Sequence, residues 1–145
     1  SNAEIMGILL DQTNYYNGKV SVNKNHSKNP QQTVFLNAKQ EAGTTVPGVG
    51  EDGVYRDPWS NPYIITLDLN SDNKSRDSFY RLQTVSKQNN ATGLNGLFNG
   101  IDPNGNSDAF EANATVMVWS FGPDGKFDPI QPANKGFNRD NVLSW

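Results

Sequence analysis

Carboxylate and amide side chains gather at three places in this chain, and they are the residues best suited to chemistry. The first group is Asp68-Leu69-Asn70-Ser71-Asp72-Asn73, with Asp77 beyond it. The second is Asp102-Pro103-Asn104-Gly105-Asn106-Ser107-Asp108, where oxygen-bearing side chains recur at every second residue. That spacing opens a calcium loop, but the frame lacks its closing glutamate, because Asn113 stands there. Flanking helices are missing as well. Asn-Gly and Asp-Pro pairs are turn builders, so both groups read first as turns and second as calcium loops. The third group is Asp124, Asp128 and Asp140, near the end of the chain. A hard cation takes about six to eight oxygens, several of them backbone carbonyls. Calcium there would staple a long irregular loop; without it these are solvated turn carboxylates.

Catalytic constellations are not found. His26 is the single histidine and sits in a polar loop, where it reads as solvated. One histidine supports neither a zinc triad nor a Ser-His-Asp arrangement. There is no cysteine, hence no thiol chemistry and no disulfide. Gly122-Pro123-Asp124-Gly125 lacks the lysine and the helix of a phosphate loop. Paired acids for glycoside cleavage would have to converge from distant segments. The expectation is a protein with no catalytic residues, not an enzyme. A net charge of −3 gives no basic field to attract nucleic acid.

A length of 145 residues suits one domain. Ser1-Asn2-Ala3 has the form of a cleaved expression-tag remnant, so the domain is taken as residues 4–145. Hydrophobic residues are only 34%, so much of the chain should be loop. Three Trp, seven Phe and five Tyr nevertheless argue against disorder. Ile5, Ile8, Leu9 and Tyr16 share one helical face, which predicts a helix from Glu4 to about Asn17 with Gly18 near its end. It is either a short packing helix or the lower part of a longer, cut one. A short helix is expected over Gln32–Gln40. Pro58 and Pro62 should make a stiff corner with Trp59 turned inward. Strands are expected at Ile64–Leu69, at Phe79–Val85 and, most clearly, at Ala114–Ser120, the last as an inner strand. The terminal Trp145 should dock back. The fold class is therefore α+β: an N-terminal helix packed on a small antiparallel sheet with long loops.

Two segments carry a family resemblance. Asp57-Pro58-Trp59-Ser60-Asn61-Pro62-Tyr63 resembles the Asp-Pro-Trp-Gly-Asn-Pro-Tyr motif of type II secretion major pseudopilins, with Ser60 in place of the glycine. Ser120-Phe121-Gly122-Pro123-Asp124-Gly125 is similar to the family's Ser-Leu-Gly-Ala-Asp-Gly turn, and Asp140-Asn141-Val142-Leu143-Ser144-Trp145 to its closing Asp-Ile-x-x-Trp. Confident matches cover about twenty residues, but their order frames most of the chain.

The resemblance implies a structural subunit of the type II secretion pseudopilus, or of a related pilin-like assembly, that supports protein export. It implies a membrane anchor upstream of Glu4, a periplasmic head, self-assembly with other pseudopilin subunits, and contact with the inner-membrane secretion platform. It further implies a structural calcium in the last loop. Asp124 matches the turn ligand and Asp140 the late acidic ligand. Asp128 lies in the poorly aligned middle, with Asn134 and Asn138 where the family has acids and glycines. Phe121 and Lys126 would add carbonyl oxygens. The segment from about Asp72 to Asn113 is longer than the family needs between its strands. The competing reading is a secreted or surface-attached carbohydrate-binding module without catalysis, since exposed tyrosines such as Tyr15, Tyr16 or Tyr80 could stack on sugars.

Overall fold

The computed structural model describes residues 1–145 and is α+β: one short N-terminal helix followed by small antiparallel sheets. It divides into two compact units, Ser1–Ile64 and Ile65–Trp145.

In the first unit the helix α1 spans Ala3–Leu9, seven residues, and is shorter than the apolar pattern predicts. The reason is a C-terminal lock. The Gln12 amide donates to the Gly7 carbonyl at 2.8 Å, and the Asp11 amide to that of Ile8 at 3.2 Å. Asp11 takes the left-handed φ of 52° that this lock requires. Its carboxylate is held there by Asn23 Nδ2 at 3.0 Å and by His26 Nδ1 at 2.8 Å. His26 is thus not a solvated loop residue; it fixes the end of α1. Its hydrogen bond is the main reason the Asp11 carboxyl lies below the usual range. Gly18 instead serves a later turn, between Tyr15 and Lys19.

The buried side of α1 is Ala3, Met6 and Gly7, whereas Ile5, Ile8 and Leu9 are only half-buried and Tyr16 is exposed. Gly7 permits close approach, since a Cβ there would meet Ser21 Oγ at 3.0 Å. Asn2, just ahead of α1, is packed into the first unit. It is buried, its Nδ2 donates to the carbonyls of Tyr55 and Tyr63 at 2.8 Å each, and its Oδ1 accepts the Tyr55 amide. The expected helix over 32–40 does not form. The Lys39 carbonyl and the Glu41 amide bond across to Val49 instead, beside the two-stranded sheet of β1 (Gly48–Val49) and β2 (Tyr55–Arg56).

In the second unit, β3 (Ile64–Leu67, its first residue being the last of the first unit), β8 (Val116–Ser120) and β9 (Val142–Leu143) form a three-stranded sheet with β8 in the middle. The expectation of an inner strand there holds. Trp119 pairs with Leu143 and Ser120 with Val142. The long 72–113 segment folds into a short helix α2 (Gln83–Ser86) and a four-stranded sheet of β4 (Lys87–Asn89), β5 (Thr92–Gly93), β6 (Phe98–Asn99) and β7 (Phe110–Glu111). Its neck is closed by reciprocal backbone bonds between Ser75 and Ala112, at 3.1 and 2.9 Å. Glu111 is clamped beside that neck by Arg76 at 2.8 Å.

No strand forms over Phe79–Val85, because Asp77 captures that backbone first. Asp77 Oδ1 accepts the amides of both Phe79 and Tyr80 at 2.9 Å, which turns the chain into α2. The other oxygen accepts Thr66 Oγ1 at 2.9 Å and Trp119 Nε1 at 3.2 Å, tying the segment to β3 and β8. Around this carboxylate lies an aromatic core. Trp119 stacks on Phe79 and meets Tyr80 and Phe121 edge-on, all with centroids within 5.1–5.3 Å. Trp145 does dock, edge-on to Tyr80 at 5.1 Å.

Burial pushes the Tyr80 phenol up to about 12, against a weaker opposing hydrogen bond from Asn141. Because the folded value is raised, the unfolded chain releases this proton first, near pH 10. Stability is therefore full below about pH 10 and falls by up to about 2 kcal/mol as pH approaches 12. Urea midpoints of the wild type at about pH 9 and about pH 11.5 should show this drop. In Tyr80→Phe the drop should shrink; an unchanged pH slope would show that other groups cause it.

Candidate functional site

Pro58 and Pro62 restrict the backbone of the 57–63 corner, and Asp57 organises it. Asp57 is 1% exposed. Its Oδ1 accepts the amides of Trp59 at 2.9 Å and Asn61 at 2.8 Å, while its own amide and carbonyl bond to Asn61 and Ser60. The result is a closed loop from 57 to 61, flanked by the bridge between Arg56 and Pro62. The inward group is thus the carboxylate. Trp59, expected as an inward plug, is 48% exposed, because the loop backbone curls around Asp57 and leaves the indole outside.

Ser60 adopts φ 72°, in the left-handed region that favours glycine. It is the one position where this chain departs from the motif it resembles, and there the motif has glycine. Ser60→Gly should therefore raise stability by about 0.5–1 kcal/mol, the relief of left-handed strain less the added freedom of the unfolded chain. Chemical denaturation checks it; a loss of stability would mean that the Ser60 side chain contributes more than its backbone costs.

The last loop places the predicted metal residues unevenly. Gly122 has φ 66°, and a Cβ there would lie 2.1 Å from the Asp140 carbonyl oxygen. Only glycine allows that crossing, so the Ser-x-Gly-x-Asp-Gly turn has a steric cause. Asp124 and Asp140 stand on the two chain segments that cross. Two buried oxygens nearby in sequence, Ser120 Oγ and Asn141 Oδ1, lack a hydrogen-bond partner. Asp128 is used differently. Its Oδ1 accepts the Ile130 amide, and its own backbone faces Asn138.

Asn138 is the residue that closes this loop. It is 2% exposed. Its Oδ1 accepts the Asp128 amide at 2.8 Å, and its Nδ2 donates to the carbonyls of Asp128 at 2.7 Å and Gln131 at 2.8 Å. Phe121 contributes through its ring, stacked on Phe127 at 5.3 Å. Lys126 gives its amide to Asp124 Oδ1 and its ammonium to the face of Phe137.

No group of three or more His, Cys, Asp and Glu side chains converges on a common point that could hold a metal. A cation in the last loop would thus depend on Asp124 and Asp140, with carbonyl and amide oxygens completing the shell. Ser120 Oγ and Asn141 Oδ1 are oxygens of the type such a shell uses, next in sequence to Phe121 and Asp140. The two earlier clusters are built as turns. Asp68 accepts the amides of Asn70, Ser71 and Asn73; Asp102 accepts those of Asn104 and Asn106.

Compared with protein-family models, with curated proteins and with solved structures, the chain matches none.

Proposed function

We propose that this chain is the globular part of a pilin-like assembly subunit related to the major pseudopilins of type II secretion. Its role is structural, without catalysis. Its partners are other pseudopilin subunits and the inner-membrane platform, and its anchor is an apolar segment ahead of Glu4, which would hold the head on the periplasmic side. No helix among residues 1–145 is itself long and apolar enough to cross a membrane.

The observation that carries the reading is the 57–63 corner. Asp57, the two prolines and Asn61 each have a backbone task there, and Ser60 occupies a glycine-type conformation at the motif's glycine. The local geometry agrees with the residue types of the motif at these positions, and that agreement is what supports the reading. The crossing at Gly122 gives the second motif a similar cause. The helix adds to this. Ile5, Ile8 and Leu9 keep apolar surface half-exposed, and burying it against neighbouring helices would favour assembly by about 25 cal/mol per Å².

The chain has no cysteine, so introduced ones report without background. In the full-length protein in its own host, Ile5→Cys with Leu9→Cys and a bifunctional maleimide should yield dimers and higher multimers. Their formation should require the secretion platform. Monomer alone in cells that secrete normally would overturn the proposal.

Calcium belongs to the same reading, held by Asp124 and Asp140 with the Phe121 and Lys126 carbonyls as further donors. Preferential binding to the folded chain must raise its stability, by about 2.7 kcal/mol at a hundredfold excess over Kd. After stripping with chelator, added calcium should raise the melting midpoint by several degrees, and Asp124→Ala should abolish the rise. An unchanged midpoint at millimolar calcium would remove the ion from the account.

A further inference from the structure

The first unit contains a cavity of about 570 Å³, lined by Pro47, Tyr55, Arg56, Pro58 and Tyr63, with Lys39 and Glu41 also at its wall. That volume lies within the range of small-ligand sites, about 300–1,000 Å³. Its walls combine flat apolar rings with a few polar groups. The rings of Tyr55 and Tyr63 lie 5.0 Å apart at 57°, so they do not use up their faces on each other.

The charges in the wall are already paired. Arg56 is 8% exposed and meets both oxygens of Asp52, at 3.0 and 2.7 Å. Lys39 Nζ lies 2.5 Å from Glu41 Oε1. A charged ligand that competed for the Arg56–Asp52 pair would have to break a largely buried contact, which disfavours that route, whereas the Lys39–Glu41 pair, exposed at its lysine, opposes little. Hydrogen-bonding capacity remains nonetheless. Asp52 and the Val54 carbonyl engage three of the five N–H donors of Arg56, leaving two. Glu41 Oε2 remains as an acceptor, and the Lys39 ammonium has further donors. A ligand that is uncharged, presents flat C–H faces to aromatic rings, and both donates and accepts hydrogen bonds matches this wall.

We propose that this cavity is a binding site for a neutral saccharide, the end or a short stretch of a glycan chain. Tyr55 and Tyr63 would stack on sugar rings, while Arg56, Lys39 and Glu41 hold hydroxyl groups. The site is independent of the assembly reading; an assembly subunit and a free-standing module could both carry it.

The test is amide chemical-shift mapping of the whole labelled chain with maltotriose, cellotriose and chitotriose, each taken to about 10 mM. At least one should give saturable shifts centred on Lys39, Tyr55, Arg56 and Tyr63. Tyr63→Leu should weaken that binding at least about tenfold, equivalent to 1.4 kcal/mol. Glu41→Gln, a milder change at the wall, should weaken it severalfold, and both variants should keep the wild-type spectrum outside the cavity. The proposal is overturned if none of the three sugars shifts these amides, or if the shifts persist unchanged in both variants. It is also overturned if a ten-residue polyproline peptide perturbs the same amides and the sugars do not.

Discussion

Asp77→Ala should destabilise the protein by about 3–5 kcal/mol, the largest effect expected of any single substitution considered. The carboxylate is fully buried and accepts four donors: two backbone amides, the Thr66 hydroxyl and the Trp119 indole. Its removal leaves all four unmatched in a low-dielectric core and opens a cavity under Trp119. The loss should also be local in character. The turn from Phe79 into α2 exists because Asp77 holds it, so aromatic near-UV signals should weaken before the native fold is lost overall. Asp77→Asn retains the shape and should cost less. Urea titration of the three proteins checks the order. If Asp77→Ala cost under about 1 kcal/mol, the carboxylate would not be the organiser of this core.

Asn138→Ala should cost about 2–4 kcal/mol. Three backbone groups, the amide and carbonyl of Asp128 and the carbonyl of Gln131, would lose their partner. The amide side chain serves the long terminal loop as a staple of the chain's own making. Asn138→Asp keeps the size but turns two donated bonds into contacts between oxygens. In chelator it should fall at least as far as Asn138→Ala. Both losses should persist with calcium absent, which separates the staple from any ion at Asp124 and Asp140. A small effect of both substitutions would mean that Phe121, Phe127 and the Gly122 crossing suffice to hold the loop.

These two residues also mark where sequence reading stops. The corner at 57–63, the inner strand β8 and the docking of Trp145 were legible. Each follows from local signals: paired prolines, apolar alternation, an aromatic at the end of the chain. Asp77 and Asn138 act on residues of ordinary pattern, and nothing local distinguishes them from other turn-forming Asp and Asn residues. Asp11 is similar. Its helix lock usually takes glycine or asparagine, and the support comes from Asn23 and His26, 12 and 15 residues away. The sheet within 72–113 was illegible for another reason. Its strands are two or three residues long, too short to show a period. Of the predicted metal residues, Asp124 and Asp140 stand on the crossing segments of one loop, whereas Asp128 is drawn toward Asn138. The cavity wall could not have been assembled from sequence, because Lys39, Pro47, Tyr55 and Tyr63 are brought together by the pairing of Lys39–Glu41 with Val49 and of Arg56 with Pro62.

The proposed assembly role requires that α1 continue into a lipid-anchored or filament-forming segment. The native gene upstream of the Glu4 codon tests it most directly. A short basic leader, a processing site and about twenty apolar residues running unbroken into α1 are expected there. A hydrophilic stretch there, or an ordinary signal peptide with a small-residue cleavage site, would contradict it.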